Sequence, residues 1–288
     1  MRQVALCALL AISLSAHAQF GNIDLGKALD FGKKVVKAGE ASRDLSPEEE
    51  VALGEGITSG ILGASPLHPE ANLQRYVNRV GKWLALHTER AELPWTFAVI
   101  DTETINAFAM PGGSVVVSHG LVKQLASESE LAAVLSHEIA HVLKKHQLTA
   151  LRSGAWSDLA GDVGKEFLAR KTGGGDPLGL ASQAKQMGVD LVKNGAILRP
   201  LDRSMEYEAD QMAVVIAARS GYDPYGLVAV MQMLAQTKGE NDGASIFSTH
   251  PPPGDRIAEL EKFMPTVERY ASQPQVEGRF KKTVGITQ

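Results

Sequence analysis

Hydrophobic residues recur at helical spacing along most of the chain. They predict one helix over residues 46–62, which Ser46 caps and Pro47 opens, and a second helix over residues 70–88. From Leu121 onward nearly every segment shows the same periodicity. We therefore expect a mainly helical chain.

A strand-like pattern interrupts the helices after Pro94. Residues 95–100, 106–110 and 114–118 form short apolar runs, and Pro111-Gly112-Gly113 between the last two runs is a turn signal. The last two runs are therefore predicted to pair as a hairpin. A small antiparallel sheet among many helices places the chain in the α+β class.

The first residues have the pattern of a secretory signal peptide. A short basic start precedes an apolar run from Val4 to Leu14, which is too short to span a bilayer, and Ala16 and Ala18 are small residues of the kind that signal peptidase recognises. Cleavage after Ala18 is predicted, with a retained membrane anchor as the alternative. Cys7 is the only cysteine, so the mature chain is expected to lack cysteine chemistry and to be periplasmic or secreted.

These patterns divide the chain into four parts. They are a signal peptide over residues 1–18, a helical segment over 19–45, a folded domain over 46–265 and a C-terminal tail over 266–288. The clearest loop is Thr172–Gly179, and residues 172–200 as a whole form either a lid or a plain connection. The formal net charge of −4 with mixed signs argues against a nucleic-acid partner, and no later segment is apolar enough to span a membrane.

One short motif carries the clearest chemical signal. Residues 137–141 read His-Glu-Ile-Ala-His, and on an α-helix His137 and His141 lie about 40° apart around the axis and about 6 Å apart along it. Both imidazoles can then bind one tetrahedral ion, while Glu138 faces the open side, where it can take a proton from bound water. A capping box at Ser127 supports the helix, and a pair of surface histidines is the alternative.

A third histidine does not follow in the same helix. The metzincin pattern has a glycine and then a histidine where this chain has Lys144 and Gln147. His146, extrapolated along the helix, falls on the side opposite His137. The third ligand is therefore expected from another helix.

Glu206 is the predicted third ligand. On a helix, Glu206 and Asp210 share a stripe with small apolar residues, whereas Glu208 falls on the opposite side. A buried acidic pair needs a cation or hydrogen-bond donors, and a zinc ion with its histidines would supply both. Asp210 is then expected to orient a ligand imidazole, although a solvated face bearing all three acids is an alternative. Three protein ligands leave one open position, so one catalytic zinc ion per chain is predicted.

Four blocks in a fixed order make the chain similar to a known family. These blocks are Asn106–Gly113, Leu135–Val142, Glu206–Asp210 and Ser248–Ile257. Together they resemble the gluzincin zinc metallopeptidases that include HtpX, the CAAX prenyl proteases and the periplasmic beta-barrel-assembly-enhancing proteases. The resemblance implies a zincin-type metallopeptidase domain over residues 46–265, with the small sheet beside the His137–His141 helix.

The same resemblance implies further site residues. His250 matches a histidine beside the zinc that steadies the oxyanion or caps the metal at rest, and Arg256 matches an arginine that helps to form the active site. The hairpin has a counterpart that binds extended substrate by strand addition, whereas an ordinary core hairpin is the alternative. The hairpin residues concerned are Asn106, Ala107, Phe108, Gly112 and Gly113.

The predicted function is that of a zinc-dependent endopeptidase of the cell envelope that hydrolyses misfolded or stalled envelope proteins. Unfolded or extended substrates, and the outer-membrane protein assembly machinery as a partner, follow from the resemblance and the export signal. One alternative is a zinc-containing chaperone or assembly factor that does not cleave. Another is a latent protease in which His250 or residues 172–200 cover the metal.

Overall fold

The computed structural model describes residues 47–152, 201–236, 246 and 250–285. The predicted signal peptide, the segment 19–45, the Ser46 cap and the loop within residues 172–200 lie outside the described residues. The described elements, in chain order, are α1 (Pro47–Ala64), α2 (Ala71–Ala85), β1 (Thr96–Ile100), β2 (Ala107–Met110), β3 (Ser114–Ser118), α3 (His119–Gln124), α4 (Glu128–Leu143), α5 (His146–Arg152), α6 (Arg203–Arg219), α7 (Gly226–Gln236), α8 (Pro253–Phe263), two 3-10 helices (Met264–Thr266 and Glu268–Tyr270) and α9 (Glu277–Val284).

The predicted α+β class is confirmed, and the sheet has the strand order β1-β3-β2. β2 and β3 form the predicted antiparallel hairpin, in which Met110 lies opposite Ser114. β1 runs parallel to β3, so the sheet is mixed and not purely antiparallel as expected. The reason is that the chain leaves β1, enters β2 at the far edge and returns through β3 into the space between them. The chain reverses its direction once on entering β2 and again on entering β3, so β3 runs in the same direction as β1.

The hairpin turn packs closely beneath α1. Gly112 and Gly113 have φ angles of 80° and 102°, a region that favours glycine. A Cβ atom on Gly112 would lie 2.4 Å from the Cα atom of Val51, and the Gly112 N–H donates a 3.2 Å hydrogen bond to Glu50. Both the backbone conformation and the close approach therefore require glycine at position 112.

α4 is the central helix of the molecule, and it packs against α2, β2, α6 and α7. Its fully buried side chains include Leu131, Leu135 and Ile139. The predicted cap is present, since the Ser127 hydroxyl accepts a 3.2 Å hydrogen bond from the N–H of Glu130. The cap therefore fixes where α4 begins, and the buried side chains set which face packs against the core.

Small residues allow α6 to approach α4 closely. Ala209, Ala213 and Ala217 are buried on one stripe of α6, and this stripe includes the predicted small positions 213 and 217. Their short side chains leave little distance between the two helix backbones. Two motifs that are distant in sequence thereby come side by side.

The region predicted as a C-terminal tail contains α9. The Phe280 side chain of α9 is fully buried in the main hydrophobic core, and Arg279 binds the buried Glu128 at the start of α4. Within the described ranges, none of the helices is both long enough and apolar enough to cross a bilayer.

Candidate metal centre

Four buried side chains converge beside α4 and α6. His137 and His141 come from α4, Glu206 comes from the first turn of α6, and His250 precedes α8. The atoms that these residues could offer to a metal ion all lie within 4.8 Å of one another. The position of Glu206 is favourable for an acid, because the first turn of a helix stabilises negative charge.

The spacing of three of these residues fits a tetrahedral ion. Nε2 of His137 lies 3.0 Å from Nε2 of His141. One oxygen of Glu206 lies 3.5 Å from the first of these nitrogens, and its other oxygen lies 3.5 Å from the second. A zinc ion with bonds of about 2.0–2.1 Å separates its ligand atoms by roughly 3.4 Å. His137, His141 and Glu206 could therefore hold one such ion.

The electrostatics of the cluster also favour a cation. Glu206 is completely buried, and among the described residues its Oε1 has no hydrogen-bond partner. Burial opposes ionisation, but His250 and His137 hold the pKa of Glu206 well below its ordinary value. Burial also lowers the pKa of His137, but Asp210 and Glu206 raise it to about 9. An ionised, buried carboxylate with an oxygen that accepts no hydrogen bond fits a metal ion, which would bind that oxygen and take the place of the proton on His137.

His141 has the protonation state that a metal ligand needs. Burial, followed by the neighbouring His137, lowers the pKa of His141 well below its ordinary value. Its ring is therefore neutral near pH 7 and has a free lone pair to offer.

Glu138 lies beside the cluster and is buried. Its Oε1 is 3.9 Å from Nε2 of His250, and burial raises the pKa of the Glu138 carboxyl. A general base works best when its pKa lies near the operating pH, so this shift suits an acid that must accept and return a proton.

Asp210 and Arg256 lie behind the ligands. Oδ1 of Asp210 is 3.0 Å from Nδ1 of His137, on the side of the ring opposite the cluster. Arg256 donates two hydrogen bonds to Asp210, at 2.9 and 2.6 Å, and its Nη1 lies 3.4 Å from Glu206. Burial would raise the pKa of Asp210, but Arg256 overrides this effect and lowers it. An ionised Asp210 can therefore hold the ring of His137 in one orientation.

His250 lies among the ligands and not at a distance from them. Its Nδ1 is 2.8 Å from Oε2 of Glu206 and 3.4 Å from Nε2 of His137. Its other nitrogen faces Glu138. The geometry therefore allows either a fourth metal ligand or a hydrogen-bond donor beside the reacting groups.

His146 was placed wrongly by extrapolation along the helix. α4 ends at Leu143, Lys145 adopts a φ of 56°, and the chain turns before His146 begins α5. Nδ1 of His146 consequently lies 2.9 Å from Nδ1 of His141. Two consecutive lysines after Leu143 are a helix-stop signal, and ending the helix there would have removed the basis for placing His146 opposite His137. The prediction that His146 is not a metal ligand agrees with the candidate group, which does not include it.

Glu208 is the acid that supports His146. Its Oε2 lies 3.2 Å from Nε2 of His146, and its Oε1 accepts a hydrogen bond from Lys144. Its side chain is half exposed and lies away from Glu206, on the face where the helix geometry placed it. The solvated-face alternative thus describes Glu208 alone, because Glu206 and Asp210 are both buried.

The predicted hairpin residues separate into two groups. Asn106, Ala107 and Phe108 lie at the start of the edge strand β2, which packs against α4. Gly112 and Gly113 lie in the buried turn at the other end of the hairpin, beneath α1. Only the first group lies along the outer edge of the sheet.

A His-Glu-x-x-His helix and a glutamate from a second helix, set in an α+β domain, define the metallopeptidase class. The family model described as Peptidase family M48 matches residues 69–264, which is more than half of the chain. The chain belongs to this family.

Several curated proteins are similar to the chain. The beta-barrel assembly-enhancing protease of Escherichia coli (strain K12) is 28% identical over 226 residues, which cover 76% of this chain and 44% of that protein. Mitochondrial metalloendopeptidase OMA1 of Schizosaccharomyces pombe is 30% identical over 194 residues, covering 67% of this chain and 53% of that protein. Metalloprotease YcaL of Escherichia coli (strain K12) is 26% identical over 257 residues, which cover 88% of this chain and 94% of that protein. The chain thus spans less than half the length of the beta-barrel assembly-enhancing proteases that it matches.

Proposed function

We propose that the chain is a zinc-dependent endopeptidase of the cell envelope that hydrolyses misfolded or stalled envelope proteins. The observation that carries the proposal is the convergence of two imidazoles and one ionised carboxylate, all buried, at distances that suit one zinc ion. The carboxyl of Glu138 lies beside them with a raised pKa. Membership of a metallopeptidase family supports the same chemistry.

The site residues have separate roles in the proposed peptide hydrolysis. When bound by His137, His141 and Glu206, a zinc ion supplies Lewis acidity toward the scissile carbonyl and lowers the pKa of water. Glu138 takes the proton of the attacking water and returns it to the leaving amine. Asp210 orients the ring of His137, so that the donor atoms keep their positions through the reaction.

His250 and Arg256 complete the proposed site. Arg256 is ionised, and burial between the two acids of α6 fixes its guanidinium group. It positions Asp210 and Glu206 through direct contacts. His250 is close enough to the ligands to donate a hydrogen bond to the oxyanion that forms on the substrate.

Substrate is proposed to add as a strand to the edge of the sheet. Among the described strands, β2 pairs with β3 alone, so it forms one edge of the described sheet. Backbone hydrogen bonds along such an edge bind extended segments with little dependence on their sequence. Asn106, Ala107 and Phe108 are the residues proposed to lie beside the substrate, because they start this strand next to α4.

The envelope location rests on the predicted signal peptide and on one relative. That relative is the beta-barrel assembly-enhancing protease of Escherichia coli (strain K12), of which the chain covers 44%. The outer-membrane assembly machinery as a partner is proposed on the same basis.

The test is hydrolysis of casein by the wild-type chain and by Glu138→Gln. This substitution keeps the size of the side chain and removes the base, so we expect the rate to fall by about 10²–10⁴-fold while the zinc content stays the same. Glu261→Gln, a change of the same kind on the exposed face of α8, is the matched control. Equal hydrolysis by Glu138→Gln would overturn the proposal. A wild type that prevents aggregation without cleaving would favour the chaperone alternative.

The position of His250 favours a second candidate, a latent form of the same protease. A fourth ligand within 2.8 Å of Glu206 would occupy the coordination position that water needs. His250→Ala then raises casein hydrolysis if the residue caps the metal, and lowers it if the residue serves the oxyanion.

A further inference from the structure

A second group of potential metal ligands lies outside the catalytic cluster. The side chains of His68, Asp101 and His119 offer ligand atoms that all lie within 4.8 Å of one another. None of the three belongs to the cluster around His137 and Glu206, and none has a role in the proposed reaction.

The backbone of the sheet brings these three residues together. The last residues of β1 and β3 are register partners in the parallel pair, so Asp101 and His119, which follow them, begin side by side. An isolated bridge between the residue before His68 and Ile100 adds the third side chain. The N–H of His68 also donates a 2.9 Å hydrogen bond to the carbonyl of Val99. The site is thus built by strand pairing and not by flexible loops alone.

The side chains are spaced for an ion between them. The rings of His68 and His119 have centroids 4.1 Å apart. Nε2 of His68 lies 4.0 Å from Oδ1 of Asp101, which is too far for a direct hydrogen bond. A tetrahedral zinc ion separates its ligand atoms by roughly 3.4 Å, so these two side chains would move slightly closer together on binding one.

Burial and charge suit the same interpretation. The side chains of His68 and His119 are 16% and 20% exposed, whereas that of Asp101 is 50% exposed, so the rings are held in place and solvent still reaches the group. Burial, followed by the neighbouring His68, lowers the pKa of His119 and favours its neutral form. Glu103 lies 3.8 Å from His119 but is paired with Lys123, so we do not count it as a ligand.

We propose that His68, Asp101 and His119 bind a divalent transition-metal ion of the zinc type, separate from the catalytic ion. Two imidazoles and one carboxylate are ligands that such ions favour. An ion there would tie the ends of β1 and β3 to the segment that precedes α2. It would brace the sheet whose outer strand is proposed to receive substrate, although the binding itself does not depend on the proposed function.

The zinc stoichiometry of the metal-stripped full chain, measured by titration calorimetry and by metal analysis after dialysis, tests the proposal. We expect two equivalents for the wild type, and one for His119→Ala and for Asp101→Asn. The second variant changes a half-exposed side chain, so it keeps the test valid if the first variant fails to fold. His87→Ala is the matched control, because His87 is only partly buried and its ring contacts only Trp83 among the aromatic side chains described.

A double variant isolates the proposed second site from the catalytic site. His137→Ala/Glu206→Ala is expected to keep one equivalent of zinc and to lose it when Asp101→Asn is added. An unchanged stoichiometry in both second-site variants would overturn the proposal, as would loss of all zinc from His137→Ala/Glu206→Ala or an equal loss in His87→Ala. A wild type with a single equivalent that Asp101→Asn removes would instead contradict the catalytic site and leave this proposal standing. Loss of proteolysis has no bearing on these outcomes, so the proposed function can fail without affecting this inference.

Discussion

In each of the two α4 imidazoles, the Nε2 atom faces the candidate metal position and the Nδ1 atom contacts a second side chain on the opposite side of the ring. The Nε2 atoms of His137 and His141 face Glu206, whereas their Nδ1 atoms face Asp210 and His146. Rear partners of this kind fix the orientation and tautomer of a ligand imidazole, and they raise its basicity. At the scale of single residues, the site therefore depends on side chains that do not themselves reach the metal position.

His146 provides the first prediction. His146→Ala should lower zinc affinity and kcat/KM by roughly 10–100-fold, because the ring of His141 loses the partner that orients it. Zinc affinity is measured by competition with a chromogenic chelator, and kcat/KM is measured with a peptide substrate. His87→Ala, which removes a partly buried ring away from the site, is the control. If His146→Ala bound zinc with the affinity of the wild type, the contact between His146 and His141 would not contribute to metal binding.

The convergence of the candidate ligands could be predicted from helix periodicity, while the position of His146 could not. The spacing of His137 and His141 and the stripe shared by Glu206 and Asp210 depend only on 3.6 residues per turn, which holds inside a helix. His146 lies beyond the end of α4, where the left-handed conformation of Lys145 resets the direction of the chain. Periodicity carries no information past such a point.

At the scale of elements, strand existence was predictable and strand order was not. Apolar runs and the Pro-Gly-Gly turn identified β1, β2 and β3 within a residue or two of their bounds. The parallel pairing of β1 with β3 depends on which edge β2 joins, and this choice is made by packing against α2 and α4. Composition within each strand does not encode that choice.

Glu128 links α4 to α9. It is buried in the first turn of α4, where it accepts a 2.6 Å hydrogen bond from Arg279 and a 2.8 Å hydrogen bond from Tyr222. Burial raises the pKa of Glu128, but the hydrogen bonds from Arg279, Tyr76 and Tyr222 outweigh burial and lower it below the ordinary value of 4.5. The ionised carboxylate therefore stabilises the docking of α9.

The pH dependence of stability follows from this lowered pKa. A carboxyl group whose pKa is lower in the folded state stabilises the fold above its unfolded-state pKa, and the contribution is lost as pH falls through the folded-state value. The difference in unfolding free energy between wild type and Glu128→Gln should therefore be constant near neutral pH and shrink below pH 4.5. Urea unfolding of the metal-free chain measures it, with Glu261→Gln as the control. A difference independent of pH would contradict the assignment.

At the scale of the whole molecule, the proposed catalytic centre is a product of long-range packing. α4 and α6 are separated in sequence by residues that the structure does not describe, yet they pack directly against each other. α8 adds Arg256 from still further along the chain. The family match spans residues 69–264 and therefore includes all three helices. The sheet and α2 support this arrangement from the other side of α4.

The zinc content and the proteolytic rate of Glu206→Gln, measured on the same preparation, test the central claim most directly. The substitution preserves the shape of a buried side chain and removes its charge, so circular dichroism should match that of the wild type. We expect one equivalent less zinc than in the wild type, together with loss of casein hydrolysis, whereas Glu261→Gln should change neither. A folded Glu206→Gln chain that keeps its full zinc content and cleaves casein at the wild-type rate would contradict the claim.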